Sequence, residues 1–205
     1  MAEDKIKTIF LDVGGVLLTN GWDTAARLRA IETFHLDEKD IEKRHAMAFD
    51  IYERGRITLD EYLDNLVFFK EQPFSRREFK EFMFSQSQEL PGALDFFYDL
   101  KAKNDLPIVA LNNEPRELNI YRIKKFELDS LFDSFISSCY IDMRKPEEKM
   151  YRLACDIAAT EPAQALYIDD RAYYMPTAGR VGLQCLHHTG IAATRAELIK
   201  YGFKI

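Results

Sequence analysis

The chain has 205 residues, of which 47% are hydrophobic, and its formal net charge is −6. This length and apolar content are enough for one domain with a substantial buried core, or for one domain that carries a large insertion. The excess of acidic residues argues against a nucleic-acid-binding protein, because such proteins concentrate basic charge on one surface.

The cysteines and the apolar segments bear on where the protein works. Cys139, Cys155 and Cys185 are odd in number and widely spaced in apolar contexts, which is typical of reduced core thiols rather than of disulfides or a zinc site. Residues 1–5 lack the apolar core of a signal peptide, and no later apolar run reaches the roughly 18 residues that a membrane span requires. We therefore expect a soluble, cytoplasmic protein that has no membrane partner.

The first predicted element is a short buried strand that begins near Thr8 and delivers Asp12 to its carboxyl end. Gly14 and Gly15 follow, and they allow the backbone to turn sharply and to approach a ligand closely. Ligands of α/β sheets bind at this edge. Because a lone aspartate after a strand is usually only a turn cap, the interpretation of Asp12 depends on its partners elsewhere in the chain.

Residues 20–89 have helical periodicity without a convincing strand. Capping boxes at residues 58–61 and 75–78 predict two helix starts, and Gly55 suits the end of a preceding helix. We predict a cap of three or four helices, inserted after the first strand. Its expected hydrophobic core, rather than a ligand site, is a cluster of mainly aromatic residues. The cluster consists of Tyr62, Leu66, Phe68, Phe69, Phe74, Phe79, Phe82 and Phe84.

The rest of the chain alternates strand and helix patterns. Apolar runs predict strands at residues 107–111, 134–138, 165–168 and 184–186, and helical patterns cover residues 91–103, 114–126 and 146–159. This alternation predicts an α/β fold with a doubly wound parallel sheet. The expected core domain comprises residues 1–19 and 90–205, and the helical cap comprises residues 20–89.

Local signals predict where some of the later helices begin. Proline suits the first position of a helix, where its missing N–H is not needed. We therefore expect helix starts at Pro115, Pro146 and Pro162. Residues 194–197 have the pattern of a capping box that opens a final helix.

Polar residues follow the predicted strands one after another. Because the carboxyl ends of parallel strands meet at one edge of a sheet, these side chains should converge. In chain order they are Asp12, then Asn112 and Asn113, then Arg144 and Lys145, then Asp169 and Asp170.

This order of residues resembles the haloacid dehalogenase superfamily, and the resemblance covers essentially the whole chain. The form it resembles most is the branch of small sugar phosphatases and epoxide hydrolase amino-terminal domains. Residues 52–58, 143–147 and 167–171 carry that likeness. The resemblance implies a Rossmann-like core with a helical cap and a hydrolase that acts on a small phosphorylated metabolite, such as a sugar phosphate.

The resemblance also implies roles for individual residues. Asp12 would be the nucleophile that forms an aspartyl phosphate, and Lys145 would neutralise the phosphoryl oxygens. Mg²⁺ would be held by Asp12, the backbone carbonyl of Gly14 and Asp170, with Asp169 assisting directly or through water.

Phosphate and substrate contacts are expected from a second set of residues. Asn112 would donate a hydrogen bond to the phosphate, together with backbone amides near Gly14, Gly15 and Asn113. Trp22 lies just past the first loop, where it would serve either as a substrate contact or as core or hinge packing.

Three positions depart from the pattern of the superfamily. Gly14 stands where its phosphatases usually have a second aspartate that protonates the leaving group, so the usual general acid is missing. Asn112 replaces a serine or threonine, and Tyr174 occupies a position where an aspartate or asparagine commonly supports the metal. These departures put catalysis, phosphate binding and metal affinity in question.

Two alternatives to a phosphatase therefore stay open. The first alternative is a binding or regulatory protein that kept the fold and lost turnover. The second is a dehalogenase that uses the same aspartate without a metal. The acidic pair at residues 169–170 would have no role in a dehalogenase.

The four histidines lack ligand spacing and are interpreted as surface or packing residues. They are His35, His45, His187 and His188.

Overall fold

The computed structural model describes residues 5–205, so the interpretation of the first four residues lies outside the described part. A five-stranded parallel sheet, ordered β3-β2-β1-β4-β5, forms the centre of the molecule. Its strands are β1 (Thr8–Leu11), β2 (Ile108–Asn112), β3 (Ser134–Ser137), β4 (Ala165–Asp169) and β5 (Gln184–His187). The predicted α/β fold with a parallel sheet is confirmed.

Both faces of the sheet are covered, which explains why the strands read as continuous apolar runs. β1, β2 and β4 are buried at every position. Ile9 and Leu11 of β1 belong to the hydrophobic core on one face, and Phe10 belongs to the core on the other. Because β1 is the middle strand, Asp12 emerges at the centre of the carboxyl edge.

Four helices follow β1 in the segment predicted to form a cap: α1 (Thr24–Phe34), α2 (Glu38–Glu53), α3 (Leu59–Leu66) and α4 (Arg76–Ser85). The side chains of Thr58 and Ser75 form the capping boxes expected at the starts of α3 and α4. These helices share a hydrophobic cluster that includes buried Tyr62 and Phe79. Phe69 differs from its expected core role, since it is 39% exposed and its ring lies under the Arg44 guanidinium. The division into cap and core domains stays a prediction.

The remaining helices lie among and after the later strands. They are α5 (Ala93–Asn104), α6 (Arg116–Lys125), α7 (Leu128–Leu131), α8 (Ser138–Ile141), α9 (Glu148–Ile157), α10 (Met175–Val181) and α11 (Ile191–Lys200). No helix within residues 5–205 combines the length and the apolar character that a membrane crossing needs.

Several predicted helix starts differ from the structure. Pro162 does open a short 3-10 helix, but Pro115 is the residue before the first turn of α6, and Pro146 lies two residues before α9. The capping box at Thr194 is wrong, because α11 already begins at Ile191. The Thr194 hydroxyl lies 2.8 Å from Nδ1 of His188, so a buried partner outside the helix engages this side chain.

Candidate active site

Asp12 and Lys145 form a buried ion pair at the carboxyl edge of the sheet. Nζ of Lys145 lies 3.0 Å from Oδ1 of Asp12 and 2.6 Å from Oδ2 of Asp169. Lys145 is only 1% exposed and Asp12 is 7% exposed. Residues from three separate chain segments therefore meet in one place, as the strand-end argument predicts.

Lys145 is fixed at both its ammonium group and its backbone. Nζ also donates a hydrogen bond to the carbonyl of Leu111 at 2.8 Å. The side chain of Asn113 brackets the lysine backbone, accepting from its N–H at 2.8 Å and donating to its carbonyl at 3.0 Å. Because the Asn113 amide is engaged in this way, its side chain positions Lys145, and only its backbone is left to meet a phosphate.

Three carboxylates cluster at this edge: those of Asp12, Asp169 and Asp170, each with one oxygen within 4.8 Å of the others. Asp169 is already engaged, because it accepts hydrogen bonds from Lys145, from the Tyr167 hydroxyl and from the backbone N–H of Arg171. In contrast, Oδ1 of Asp170 is buried and has no hydrogen-bond partner among residues 5–205. A hard oxygen donor set with one orphaned carboxylate oxygen fits a Mg²⁺ ion.

Burial and the crowding of negative charge shift the pKa values of these groups. Burial raises the pKa of Asp12 to about 7, although the Lys145 ammonium opposes the shift. The pKa of Asp170 is also raised, first by burial and then by the charge of Asp169. Burial disfavours the charge on Lys145, but Asp12 and Asp169 outweigh it and raise the lysine pKa. A divalent cation would lower both aspartate pKa values and keep Asp12 ionised.

The two glycines after Asp12 are required for different reasons. Gly15 has a φ of +76°, and a Cβ there would overlap the carboxylate of Asp170. A Cβ at Gly14 would lie 3.0 Å from Oδ1 of Asn20 and 3.7 Å from Nη1 of Arg122. Asn20 and Arg122 therefore border the space beside Gly14, where the resemblance expects a second aspartate, and only the Asn20 side chain is close enough that it would have to shift.

Arg122 of α6 is a buried organiser of the site that the sequence did not reveal. It is 1% exposed, and its guanidinium contacts three separate segments. It donates to Oε2 of Glu114 at 2.6 Å, to the hydroxyl of Ser87 at 3.0 Å and to the carbonyl of Thr19 at 2.7 Å. No motif marked it, because its partners are scattered along the chain.

Asn112 is not brought into the site in the way the sequence predicts. Its side chain is 1% exposed, accepts from the Ser137 hydroxyl at 2.7 Å and donates to Oδ1 of Asn119 at 3.3 Å. These partners on β3 and α6 turn the amide into a buried network that ties neighbouring elements together. Asn112 therefore does not line the cavity described next, whereas Asn113 does.

A cavity of about 330 Å³ lies between this edge and the helices α1 and α2. Asp12, Gly14 and Lys145 line one side of it, and Trp22 and His45 line the other. Trp22 is only 3% exposed and its Nε1 donates to the Tyr62 hydroxyl at 3.0 Å. Trp22 therefore packs in the helical cluster and also lines the cavity, and a contact with substrate stays a prediction.

His45 packs against the ring of Phe49, as a packing residue would, and it also lines the cavity, which the sequence does not predict. Nδ1 of His45 lies 2.8 Å from the Tyr62 hydroxyl. Burial lowers the pKa of His45 to about 4, so the ring is neutral near neutral pH. The signal that was missed is its helical spacing to Phe49 and Tyr52 on α2, which also face this cluster.

Tyr174 occupies the third position that departs from the superfamily pattern. It packs against Lys145 rather than against the acidic cluster. Nζ of Lys145 lies 5.3 Å from the centre of the Tyr174 ring. The Tyr174 hydroxyl lies 3.4 Å from Nδ2 of Asn113. The side chain thus adds a cation–π contact to the group that pairs with Asp12.

Comparisons with known proteins agree with this geometry. The model of the haloacid dehalogenase-like hydrolases matches residues 6–182. Flavin mononucleotide hydrolase 1 of Arabidopsis thaliana is 29% identical over 80% of this chain, which spans 66% of that protein. A sesquiterpene phosphatase of Aspergillus oryzae is 26% identical over 94% of both chains.

A solved structure is also similar in fold. It is a haloacid dehalogenase family enzyme of Bacteroides thetaiotaomicron in complex with magnesium and inorganic phosphate. The TM-score is 0.75 at 21% identity, with 89% of this chain and 93% of that chain covered. The sheet topology, the buried Asp12–Lys145 pair and the family match lead to one conclusion: the chain belongs to the haloacid dehalogenase-like hydrolases.

Proposed function

We propose that this hydrolase is a Mg²⁺-dependent phosphatase that acts on a small phosphorylated metabolite, with Asp12 as its nucleophile. The observation that carries the proposal is the Asp12 carboxylate, which is paired with Lys145 at 3.0 Å and lines a polar cavity. Relatives described as a flavin mononucleotide hydrolase and a sesquiterpene phosphatase support phosphate ester hydrolysis.

The chain's own residues account for the main requirement of this reaction. A phosphate monoester repels a carboxylate nucleophile, so its charge must be neutralised before attack. Lys145, held by Asp169 and by the Leu111 carbonyl, supplies a fixed buried cation next to Asp12. Asp12 would attack phosphorus and form an aspartyl phosphate, which water would then hydrolyse.

The metal would be held by Asp12, the backbone carbonyl of Gly14 and Asp170, whose unpartnered oxygen is the best available ligand. Bound there, Mg²⁺ would neutralise phosphoryl charge as a Lewis acid. Asp169 would assist mainly through Lys145, since its own oxygens already accept three hydrogen bonds.

The cavity favours a compact polar substrate. Its volume of about 330 Å³ lies at the small end of ligand pockets. The backbone around Gly14, Gly15 and Asn113 would bind the phosphate, and Trp22 would contact the organic part. A sugar phosphate is one class of metabolite that fits these dimensions. We also propose a cytoplasmic location, because all three cysteines are free.

The direct test is a screen of phosphate monoesters with Mg²⁺ and with EDTA. We expect Mg²⁺-dependent release of phosphate by the wild type and its loss in Asp12→Asn. Asp99→Asn is the matched control, because that carboxylate is 74% exposed on α5 and, within residues 5–205, pairs with Lys103 alone, at 3.6 Å. Turnover that persists in Asp12→Asn contradicts the proposal.

The same screen separates the alternatives. Stabilisation by Mg²⁺ or phosphate without release of any product would indicate a binding protein. Halide release from 2-haloacids in the presence of EDTA would indicate a dehalogenase.

A further inference from the structure

The leaving group needs a proton that the Asp12–Lys145 pair does not supply. An alkoxide is a poor leaving group unless a positioned acid protonates it, and such an acid typically contributes 10²–10⁴-fold. We propose that Glu53, the last residue of α2, is the general acid and base of this site. The proposal rests on the phosphatase function proposed above and names the residue that protonates the alcohol.

Glu53 is a buried carboxyl group in the wall of the same cavity as Asp12 and Lys145. Its side chain is 8% exposed. Oε2 of Glu53 is buried and lies 2.7 Å from Nη2 of Arg144, although no donor of the described residues reaches it in hydrogen-bonding geometry. Because Oε2 is buried against Arg144, the other carboxyl oxygen, Oε1, is the one that a substrate hydroxyl or leaving oxygen would meet.

The backbone of Glu53 is held against the segment that leads to Lys145. The hydroxyl of Ser138 donates to the Glu53 carbonyl at 2.7 Å. The next residue, Arg54, donates to Glu147 at 2.6 Å and to the Asp142 carbonyl at 3.1 Å. These contacts fix the end of α2 relative to the sheet edge, which is the condition for an acid that must reach a bound substrate.

The surroundings of Glu53 favour a proton on its carboxyl group. Burial is the largest influence and raises its pKa, and the charge of Asp50 on the same helix adds to the rise. Arg144, Arg171 and Lys145 oppose it. The carboxyl group of Glu114, which follows β2, also faces Glu53. An incoming phosphate dianion adds negative charge beside Glu53 and favours the protonated form further.

The other carboxyl groups in the cavity wall are committed to the fold. Besides Asp12 and Glu53, the described residues that line it include Asp23 and Glu114. Asp23 caps α1 by accepting from the N–H of Ala26 at 2.9 Å. Glu114 compensates the buried guanidinium of Arg122 at 2.6 Å.

The proposed proton transfers balance over the two steps. As the bond between Asp12 and phosphorus forms and the ester P–O bond breaks, the Glu53 carboxyl gives its proton to the departing oxygen. The Glu53 carboxylate then takes a proton from the water that attacks the aspartyl phosphate. Inorganic phosphate and the alcohol are released, and Glu53 returns to its protonated form.

The test uses three esters of similar shape: 4-nitrophenyl, phenyl and benzyl phosphate, whose leaving groups are increasingly basic. In Glu53→Gln, which keeps the shape but has no transferable proton, we expect kcat/KM to fall about 10²-fold or more for benzyl phosphate and less than about threefold for 4-nitrophenyl phosphate. The control is Asp99→Asn, because that carboxylate is 74% exposed on α5 and lies outside the cavity wall. We expect it to leave kcat/KM for all three esters unchanged.

Three outcomes overturn the inference. An equal loss on all three esters in Glu53→Gln would assign the residue a structural role, and no loss would assign it none. Hydrolysis of none of the three esters by the wild type would overturn the phosphatase function and this inference together. The first two of these outcomes overturn this inference alone.

Discussion

The buried guanidinium of Arg122 leads to a prediction about the free energy of unfolding. Arg122→Leu keeps an apolar stem in α6 but leaves the Glu114 carboxyl buried without its cation. Breaking a buried ion pair from one side typically costs 3–5 kcal/mol. The hydrogen bonds to Ser87 and to the Thr19 carbonyl contribute about 1 kcal/mol each within such a total. Burial already raises the pKa of Glu114 to about 7, so protonation limits the loss, and we expect about 3–5 kcal/mol overall.

Urea unfolding at neutral pH measures this loss directly. The double variant Arg122→Leu/Glu114→Leu should be more stable than Arg122→Leu, because it removes the buried carboxyl group that has lost its cation. The control is Arg152→Leu, since Arg152 is 58% exposed and lies 3.7 Å from Glu148, and we expect less than about 1 kcal/mol there. A loss below about 1 kcal/mol in Arg122→Leu, or a double variant no more stable than the single one, would refute the reasoning.

Two further predictions concern the loop after Asp12 and the cavity wall. Gly15→Ala should lower the free energy of unfolding by more than the roughly 1–2 kcal/mol that a left-handed alanine costs, because its Cβ also meets Asp170. Gly92→Ala is the control for the backbone cost, since Gly92 has a φ of +69° and open space around it. Equal losses of stability in urea unfolding would contradict the close approach of Gly15 to Asp170. The pKa of His45 is lowered to about 4 in the folded protein. The unfolded chain therefore binds a proton first, and stability that is present above the ordinary histidine pKa is lost as pH falls toward the folded value. Unfolding between about pH 7 and about pH 5 should show a steeper loss for the wild type than for His45→Asn, and parallel losses would refute the role of His45.

The sheet and the polar residues at its carboxyl edge were predictable because their signals are local. A strand buried on both faces reads as an unbroken apolar run, and the polar residue that ends it marks the carboxyl edge. Asp12 and Asp169 each follow this rule, and Lys145 reaches the same edge through its loop. Family membership was predictable for the same reason, since the order of these residues along the chain carries it.

The parts that were missed depend on contacts between distant segments. Asn112 has the sequence position of a phosphate donor, but Ser137 and Asn119 engage its amide, and their positions are set by packing. Arg122 gains its importance from partners before, within and after the helical segment. The capping box at Thr194 failed because His188 offered its hydroxyl a competing partner. Such pairings follow from the tertiary structure rather than from local pattern.

The central claim, that Asp12 attacks phosphorus, is tested most directly by trapping the covalent intermediate. The wild type would be mixed with Mg²⁺ and 4-nitrophenyl phosphate, quenched in acid within the first turnover and digested for peptide mass spectrometry. We predict a phosphoryl group on Asp12 that appears only with Mg²⁺ and is absent from Asp12→Asn. A phosphoryl group on another residue, or full turnover by Asp12→Asn, would contradict the account.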